Sequence, residues 1–356
     1  MTGAVPLPSS SVQEGAEVHW EWRRARRRPI RRRHVKVIVK NDNYNPSQAV
    51  AVCKELVERD RVFMLSGLLN PEGQNQVQAC ARYAASVGVP YVSLGTTKIG
   101  LTLPNYFTFS MPWPEQARLL ADFFVSRLRG RRRQNGMVRF NSPNYEDSHD
   151  SFIQSMQNRR AQVHYDRALS QGAGSAEANA VVAEMDTRGI DNVFVLVRPT
   201  FFIQLLRAAD NQNYHPKWTG IGLTMSILDD IVEAGCPNIR GARFFSPLPA
   251  YVDRNEFDRN YARAMRRLYS ERGDAISWLG WATSRPLAKL LKRTDRHLTR
   301  KRFIRRAEKS RLIRTGVIPR IRFRPRDHFG GQGIHVLAAN CRDRRWHTRA
   351  RFKRDF

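Results

Sequence analysis

From His34 onward, short β-rich runs alternate with amphipathic helical stretches, and this rhythm confines the chain to an α/β fold built on parallel sheets. HVKVIVK (34–40) reads as a strand. PSQAVAVCKELVERD (46–60) reads as a helix with Ala49, Val52, Cys53, Leu56 and Val57 on one face and Asn45 or Ser47 near its cap. VFMLSG (62–67) follows as a buried strand, QNQVQACARYAASVG (74–88) as a helix and VPYVSLG (89–95) as a strand. A βαβαβ order of this kind implies parallel pairing with right-handed crossovers.

After a break near FTFSMPWPEQ a second set begins with a helix, PEQARLLADFFVSRL, opened by Pro114. GMVRF is a strand running into the polar loop NSPNYEDS, and Asp150 to Arg159 is the next helix. VHYDRAL, NVFVLVRP and HPKWTGIGLT are strands; between them lie the helices AEANAVVAEMDTRG, closed by Gly189, and TFFIQLLRAADNQ. RGARFFSPLPA (240–250) reads as a strand that leaves this set, followed by two helices, EFDRNYARAMRRLYSERG and ISWLGWATSRPLAKLLKR. Trp278 and Trp281, three apart on the second, read as core. The tail from Gly316 reads as short strands around Gly-rich turns.

The expectation is an α/β protein of two lobes, each a mostly parallel sheet flanked by helices, joined by a multi-strand hinge. Lobe 1 is expected over 1–112, lobe 2 over 113–243, a return to lobe 1 over 244–320, and C-terminal strands, hinge and lobe 2 over 321–356. Crossings near 110–114, 243–250 and 318–324 are the expected hinges. A ligand would sit in the inter-lobe cleft, against the loops 66–74, 93–100, 141–148, 198–202 and 222–226. Hydroxyls, amides, backbone N–H groups and aromatics dominate these loops, a set suited to a small polar solute.

Charge must be located before it is interpreted. The net charge is +29, and residues 285–356 carry 24 basic against 5 acidic side chains, while 34–284 carry 29 against 24. RRARRRPIRRR (23–33) has eight arginines in eleven positions. Arginines in the tail alternate with apolar residues, as in a folded basic face and not in a disordered arm, so no nucleic-acid partner is expected. No apolar run reaches 18 residues, and MTGAVPLPSSSVQEG has neither the basic nor the apolar region of a signal peptide.

Catalytic signatures are missing. GxSxG, GxxxxGKS/T and HExxH do not occur, and GGQG (330–333) lacks the strand–helix context of a dinucleotide loop. The nine histidines are scattered, and no two of the four cysteines stand at CxxC spacing. Glu146 and Asp147 read as partners of a helix N-terminus. No catalytic residue, cofactor or metal site is expected.

VIVKNDNYNPSQAVAVCKELVERDRVFMLSG resembles the signature of the branched-chain amino-acid (Leu/Ile/Val-binding) type of ABC-transporter solute-binding proteins, of type I periplasmic-binding fold. The likeness continues through VGVPYVSLGTT, NYFTFSMPWPEQARLLADF, the second lobe and FRPRDHFGG. It implies a non-catalytic protein that captures a small polar ligand, an amino acid or related amide or acid, and delivers it to a membrane permease. Residue by residue it implies ligand contacts at Ser9 and Ser10 of the first loop, Leu69 and Asn70, the carboxylate-holding Gly95, Thr96 and Thr97, and Tyr145, Pro199, Thr200 and Thr224 of lobe 2. It implies a monomer, periplasmic or extracellular, possibly anchored as a lipoprotein.

Three departures stand out. Only five residues precede Pro6, where the family has a strand and a signal sequence. The arginine run occupies the place of a glycine-bearing turn, and so reads as a surface loop. Pro71 in Asn70-Pro71-Glu72-Gly73 replaces a donor of the carboxylate site, which points away from leucine, isoleucine or valine as the ligand. Export, implied by the family, favours disulfides, with Cys53–Cys80 and Cys236–Cys341 as the expected pairs. A cytoplasmic ligand-sensing regulator of the same fold is the alternative.

Overall fold

The computed structural model describes residues 9–43, 45–67, 74–94, 103–222, 228–269, 273–294 and 297–356. In chain order these form α1 (Ser9–Ala25), α2 (Pro46–Lys54), β1 (Leu65–Gly67), α3 (Gln74–Ser86), β2 (Tyr91–Ser93) and β3 (Tyr106–Thr108). There follow α4 (Trp113–Arg127), β4 (Asn135–Phe140), α5 (Pro143–Asn158), β5 (Tyr165–Leu169), α6 (Ser175–Thr187), β6 (Asn192–Leu196) and α7 (Pro199–Asn211). Next come β7 (Lys217–Gly220), α8 (Asp229–Gly235), β8 (Arg243–Ser246), α9 (Arg259–Tyr269), α10 (Ala275–Arg293), α11 (Arg300–Glu308), β9 (Ile334–Asn340) and β10 (Arg345–Lys353). The chain divides into two compact units, one of residues 1–111 and 253–333, the other of 112–252 and 334–356.

In the first unit β1, β2 and β3 form a parallel sheet in that order, with Leu65 opposite Tyr91 and Tyr91 opposite Tyr106. Asn45 caps α2, its side chain accepting from Ser47 N at 2.9 Å and Gln48 N at 3.1 Å, while Pro46 needs no acceptor in the first turn. The helix widens into a π-helical turn at Glu55–Arg59, where Asp60 N donates to Glu55 O. Its buried face meets α3 through Cys53, Val77, Cys80, Ala81 and Ala84, with Leu56 and Val57 at the margin. Cys53 and Cys80 are bonded, their Cα atoms 5.8 Å apart.

Helices α1 and α10 approach at glycines: a Cβ on Gly15 would overlap the carbonyl of Ser277, and one on Gly280 that of Val12. Trp278 and Trp281 are buried in this contact, as expected of core residues. The Trp281 indole donates to Asp258 Oδ2 at 2.7 Å and packs edge-on against His19. Both imidazole nitrogens of His19 are buried without a hydrogen-bond partner. Burial, then the Arg23 and Arg285 charges, push its pKa down to about 3.

The expected strand HVKVIVK does not form: residues 34–40 pair with no strand among the described residues, and Ile38 and Val39 are exposed. β-branched composition favours an extended chain, but a strand needs a neighbouring ladder, and β1 pairs only with β2. Arg27, Arg31 and Arg32, in the run that resembles a glycine-bearing turn, adopt left-handed φ of 48°, 50° and 67°.

The second unit holds a seven-stranded sheet ordered β10-β9-β8-β7-β6-β4-β5. Strands β4 to β8 run parallel, whereas β9 is antiparallel to β8 and to β10. The stretch expected to leave this set stays in it, because β8 pairs with β7 on one side and β9 on the other. Asn135 and Asn192, opposite each other in β4 and β6, hold a buried amide network. Asn135 Nδ2 donates to Gly130 O (2.7 Å) and Gln162 O (2.9 Å), and Asn192 Nδ2 to Asn135 Oδ1 (3.0 Å). Cys236, after α8, is bonded to Cys341, after β9, with Cα atoms 5.7 Å apart. The helix expected from Asp150 begins seven residues earlier, at Pro143, so NYEDS is its first turns and not a loop. Ser142 caps it, accepting from Asn144 N, with Pro143 at the first position.

Candidate functional site

Of the residues singled out by sequence, Leu69, Asn70, Gly95, Thr96, Thr97 and Thr224 lie outside the described residues. Ser9 and Ser10 open helix α1 instead of standing in a loop. Tyr145, Pro199 and Thr200 are placed in the second unit, at the carboxyl ends of β4 and β6: Tyr145 in the first turn of α5, Pro199 and Thr200 at the start of α7. Pro199 is buried and Thr200 exposed.

Tyr145 is 3% exposed and stacks on Trp113, with ring centroids 6.4 Å apart and planes 26° off parallel. Trp113 is the first residue of α4, fixed by prolines on either side. Gly222, just past β7, has φ +83°, and a Cβ there would enter the Trp113 ring. Its N–H donates to Gln116 Oε1 at 3.1 Å, one turn into α4. An α4 side chain thus ties the end of β7 to the aromatic pair. Beside Tyr145, Asn144 Oδ1 and, one turn on, Ser148 Oγ are buried without a hydrogen-bond partner. Buried polar groups without partners are costly unless something supplies the bond.

At the end of β6, Arg198 lies over the Phe140 ring at 5.0 Å and donates to Gln171 O at 2.5 Å. Phe140 packs on Phe201 of α7. In the first unit, Thr108 at the end of β3 and Ser110 two residues on have buried hydroxyls with no partner. Aromatic faces, single amides and hydroxyls can hold a polar molecule through stacking and hydrogen bonds.

A titratable cluster lies close by. Glu146, His149 and Asp150 bring ligand atoms within 4.8 Å of one another. Arg139 of β4 donates to Glu146 Oε1 at 2.9 Å, and His149 contacts Asp166 Oδ2 at 2.7 Å and Asp150 Oδ1 at 2.9 Å. Both imidazole nitrogens face carboxylates, and the bond to Asp166 raises the His149 pKa against the opposing effect of burial, with Asp150 adding to the rise. Arg139 and His149 bridge the three carboxylates of Glu146, Asp150 and Asp166, so the group closes as a network fastening α5 to β4 and β5.

Sequence reasoning missed Trp113 and Gln116, and left Asn144 and Ser148 unnamed within the expected ligand loop 141–148. The signal for Trp113 was in plain view as an aromatic between two prolines, PWP, at a helix start; the polar three carry none, since their burial depends on the sheet behind them.

The carboxyl ends of parallel strands, where these groups stand, are where an α/β fold takes its ligands. The chain belongs to the periplasmic binding protein family, which matches residues 1–344. Its fold is similar to that of an ABC-transporter solute-binding protein from Rhodopseudomonas palustris BisB5 in complex with 3,4-dihydroxybenzoic acid, at 14% identity and TM-score 0.78 over 97% of this chain and 92% of that one. It is equally similar to the branched-chain amino acid transporter substrate-binding protein LivJ of Streptococcus pneumoniae in complex with isoleucine (16%, TM-score 0.77, 96% and 94%). A fatty acid ABC transporter substrate-binding protein from Thermomonospora curvata matches at 13% identity and TM-score 0.79, over 97% and 88%. No curated protein matches the sequence. The alternative of a cytoplasmic regulator finds no support in these likenesses. Among the described residues, no helix is long and apolar enough to cross a membrane.

Proposed function

We propose that this chain is the non-catalytic solute-binding component of an ABC-type uptake system, working as a monomer outside the cytoplasmic membrane and delivering its ligand to a membrane permease. The observation that carries the reading is the placement of Tyr145: a buried phenol ring stacked on Trp113 at the carboxyl end of a parallel strand, beside the unpartnered side-chain oxygens Asn144 Oδ1 and Ser148 Oγ. The ligand is a small polar molecule, an amino acid or a related amide or acid. Relatives of this fold carry isoleucine or a dihydroxybenzoic acid, which is consistent with an aromatic wall beside hydrogen-bonding groups.

On this reading the ligand also meets Ser9, Ser10, Leu69, Asn70, Gly95, Thr96, Thr97, Pro199, Thr200 and Thr224. The crossings of the chain from one unit to the other, at 111/112, 252/253 and 333/334, act as hinges.

A thermal-shift screen against amino acids, amides, small acids and sugars tests the reading. A ligand at a hundred times its dissociation constant stabilises by about 2.7 kcal/mol, a shift of several degrees. The expected result is a selective hit whose shift, measured against each variant's own unliganded midpoint, disappears in Tyr145→Ala and Thr97→Val. A well-folded protein that answers to none of these classes, or a hit untouched by both substitutions, would refute it.

A further inference from the structure

Much of the excess charge of this chain lies in the segments that meet around α1, α10 and the residues after α11. Residues 289–314 hold twelve Lys and Arg against two acids. The Arg31 Nε donates to Thr294 O at 3.0 Å, which brings the arginine run to the C-terminal end of α10. Arg293 donates to Arg311 O at 2.5 Å and Leu312 O at 3.3 Å, and Lys289 donates to Arg314 O, which joins the same end to residues 311–314. Arg23 in turn donates to Arg28 O at 3.0 Å.

In each case a backbone carbonyl holds the cation. Carbonyls fix a guanidinium or ammonium in place but leave its charge unneutralised, and among the described residues no carboxylate pairs with any of these side chains. The crowding shows in the titration of the lysines: partial burial, then Arg23 and Arg28, lowers the Lys292 pKa, and burial followed by Arg285, Arg293 and Lys292 lowers that of Lys289.

We propose that this face of the first unit docks on an anionic phospholipid bilayer. Phosphate headgroups supply the missing counter-charge, each Lys or Arg near such a surface contributing about 1 kcal/mol of attraction. The unpaired segment 34–40, continuous in sequence with the arginine run, carries exposed Ile38 and Val39, 37% and 49% accessible, close to exposed Lys36, while Lys40 is paired with Glu55 and Asp60. Cations beside exposed aliphatic side chains suit the boundary between headgroup and acyl chain. Single-stranded nucleic acid calls instead for stacking aromatics. The exposed large apolar side chains among the described residues are Ile38, Val39, Val87 and Phe352; the one aromatic, Phe352, belongs to the other unit.

The test is co-sedimentation of the full chain with phosphatidylcholine vesicles, and with vesicles containing about one-third phosphatidylglycerol. It compares the wild type, a face variant (Arg28→Gln, Lys292→Gln, Arg311→Gln, Arg314→Gln) and a control of equal charge loss in the other unit (Arg127→Gln, Arg132→Gln, Arg207→Gln, Arg240→Gln). Circular dichroism and the thermal midpoint verify that each variant is folded. The expected result is binding to the anionic vesicles alone, released as salt rises. It should weaken about fivefold per cation removed, hence more than a hundredfold in the face variant, with far less change in the control. Equal loss in both variants, equal binding to neutral vesicles, or no binding at low salt would overturn the proposal. So would retention on an oligonucleotide that the face variant loses while vesicles fail to bind.

Discussion

Replacing Cys236 and Cys341 by alanine opens the longer of two covalent loops, and the structure sets how much that costs. The bond closes a separation of 105 residues, against 27 for Cys53–Cys80. Chain entropy released in the unfolded state grows with the logarithm of loop length, giving about 4.8 kcal/mol for the longer loop and about 3.6 kcal/mol for the shorter. The two bonds lie in different units, of about 160 and 190 residues respectively. With an unfolding entropy of about 2 cal/mol/K per residue, the unit that loses Cys236–Cys341 should melt roughly 14 °C lower, and the unit that loses Cys53–Cys80 roughly 9 °C lower. Differential scanning calorimetry of the oxidised wild type and the two double variants measures both. Equal shifts, a reversed order, or losses below about 1 kcal/mol would refute the loop-length reasoning. An intact mass showing four free thiols in oxidised protein would remove its premise.

His19 makes the first unit acid-labile: its folded pKa lies far below the unfolded one, so stability is full above pH ~6.5 and falls with pH, by about 2 kcal/mol at pH 5. His19→Phe should flatten that fall in a melting series between pH 4 and 8. His149 has the opposite sign. Its raised pKa contributes stability that is complete below pH ~6.5 and is lost as pH rises through the folded value, so the advantage of wild type over His149→Gln should shrink toward alkaline pH. Asn135→Ala removes two bonds to carbonyls and leaves the Asn192 amide without one of its acceptors, which should cost at least about 3 kcal/mol in a urea titration.

What the sequence revealed followed the range of the forces involved. Helices such as 74–86 and 199–211 were legible because their caps, prolines and apolar spacing are local. The strand at 34–40 was misjudged because its alternation is local and its missing neighbour is not. RFFS at 243–246 was assigned outward for the same reason, since its partners β7 and β9 are remote in sequence. At the site, Tyr145 came from family resemblance, whereas the unpartnered oxygens of Asn144 and Ser148 are consequences of packing that no spacing announces. Arginine clusters were visible as composition, but that backbone carbonyls hold Arg23, Arg31 and Arg293 required the folded chain.

The backbone of the arginine run is repeated elsewhere. Arg27, Arg31, Arg32, Arg61, Arg129, Arg160, Arg326 and Arg344 all sit at positive φ, where glycine is unstrained and an L side chain pays about 1 kcal/mol. Glycine's own entropic cost in the unfolded chain is of similar size, roughly 0.5–1 kcal/mol. As far as the backbone is concerned, arginine and glycine are therefore close in cost at these eight positions, and those whose side chains make no specific contact form a reservoir of variation that the fold tolerates. Through it the net charge of the surface can drift, or be tuned for solubility, while the fold stays where it is.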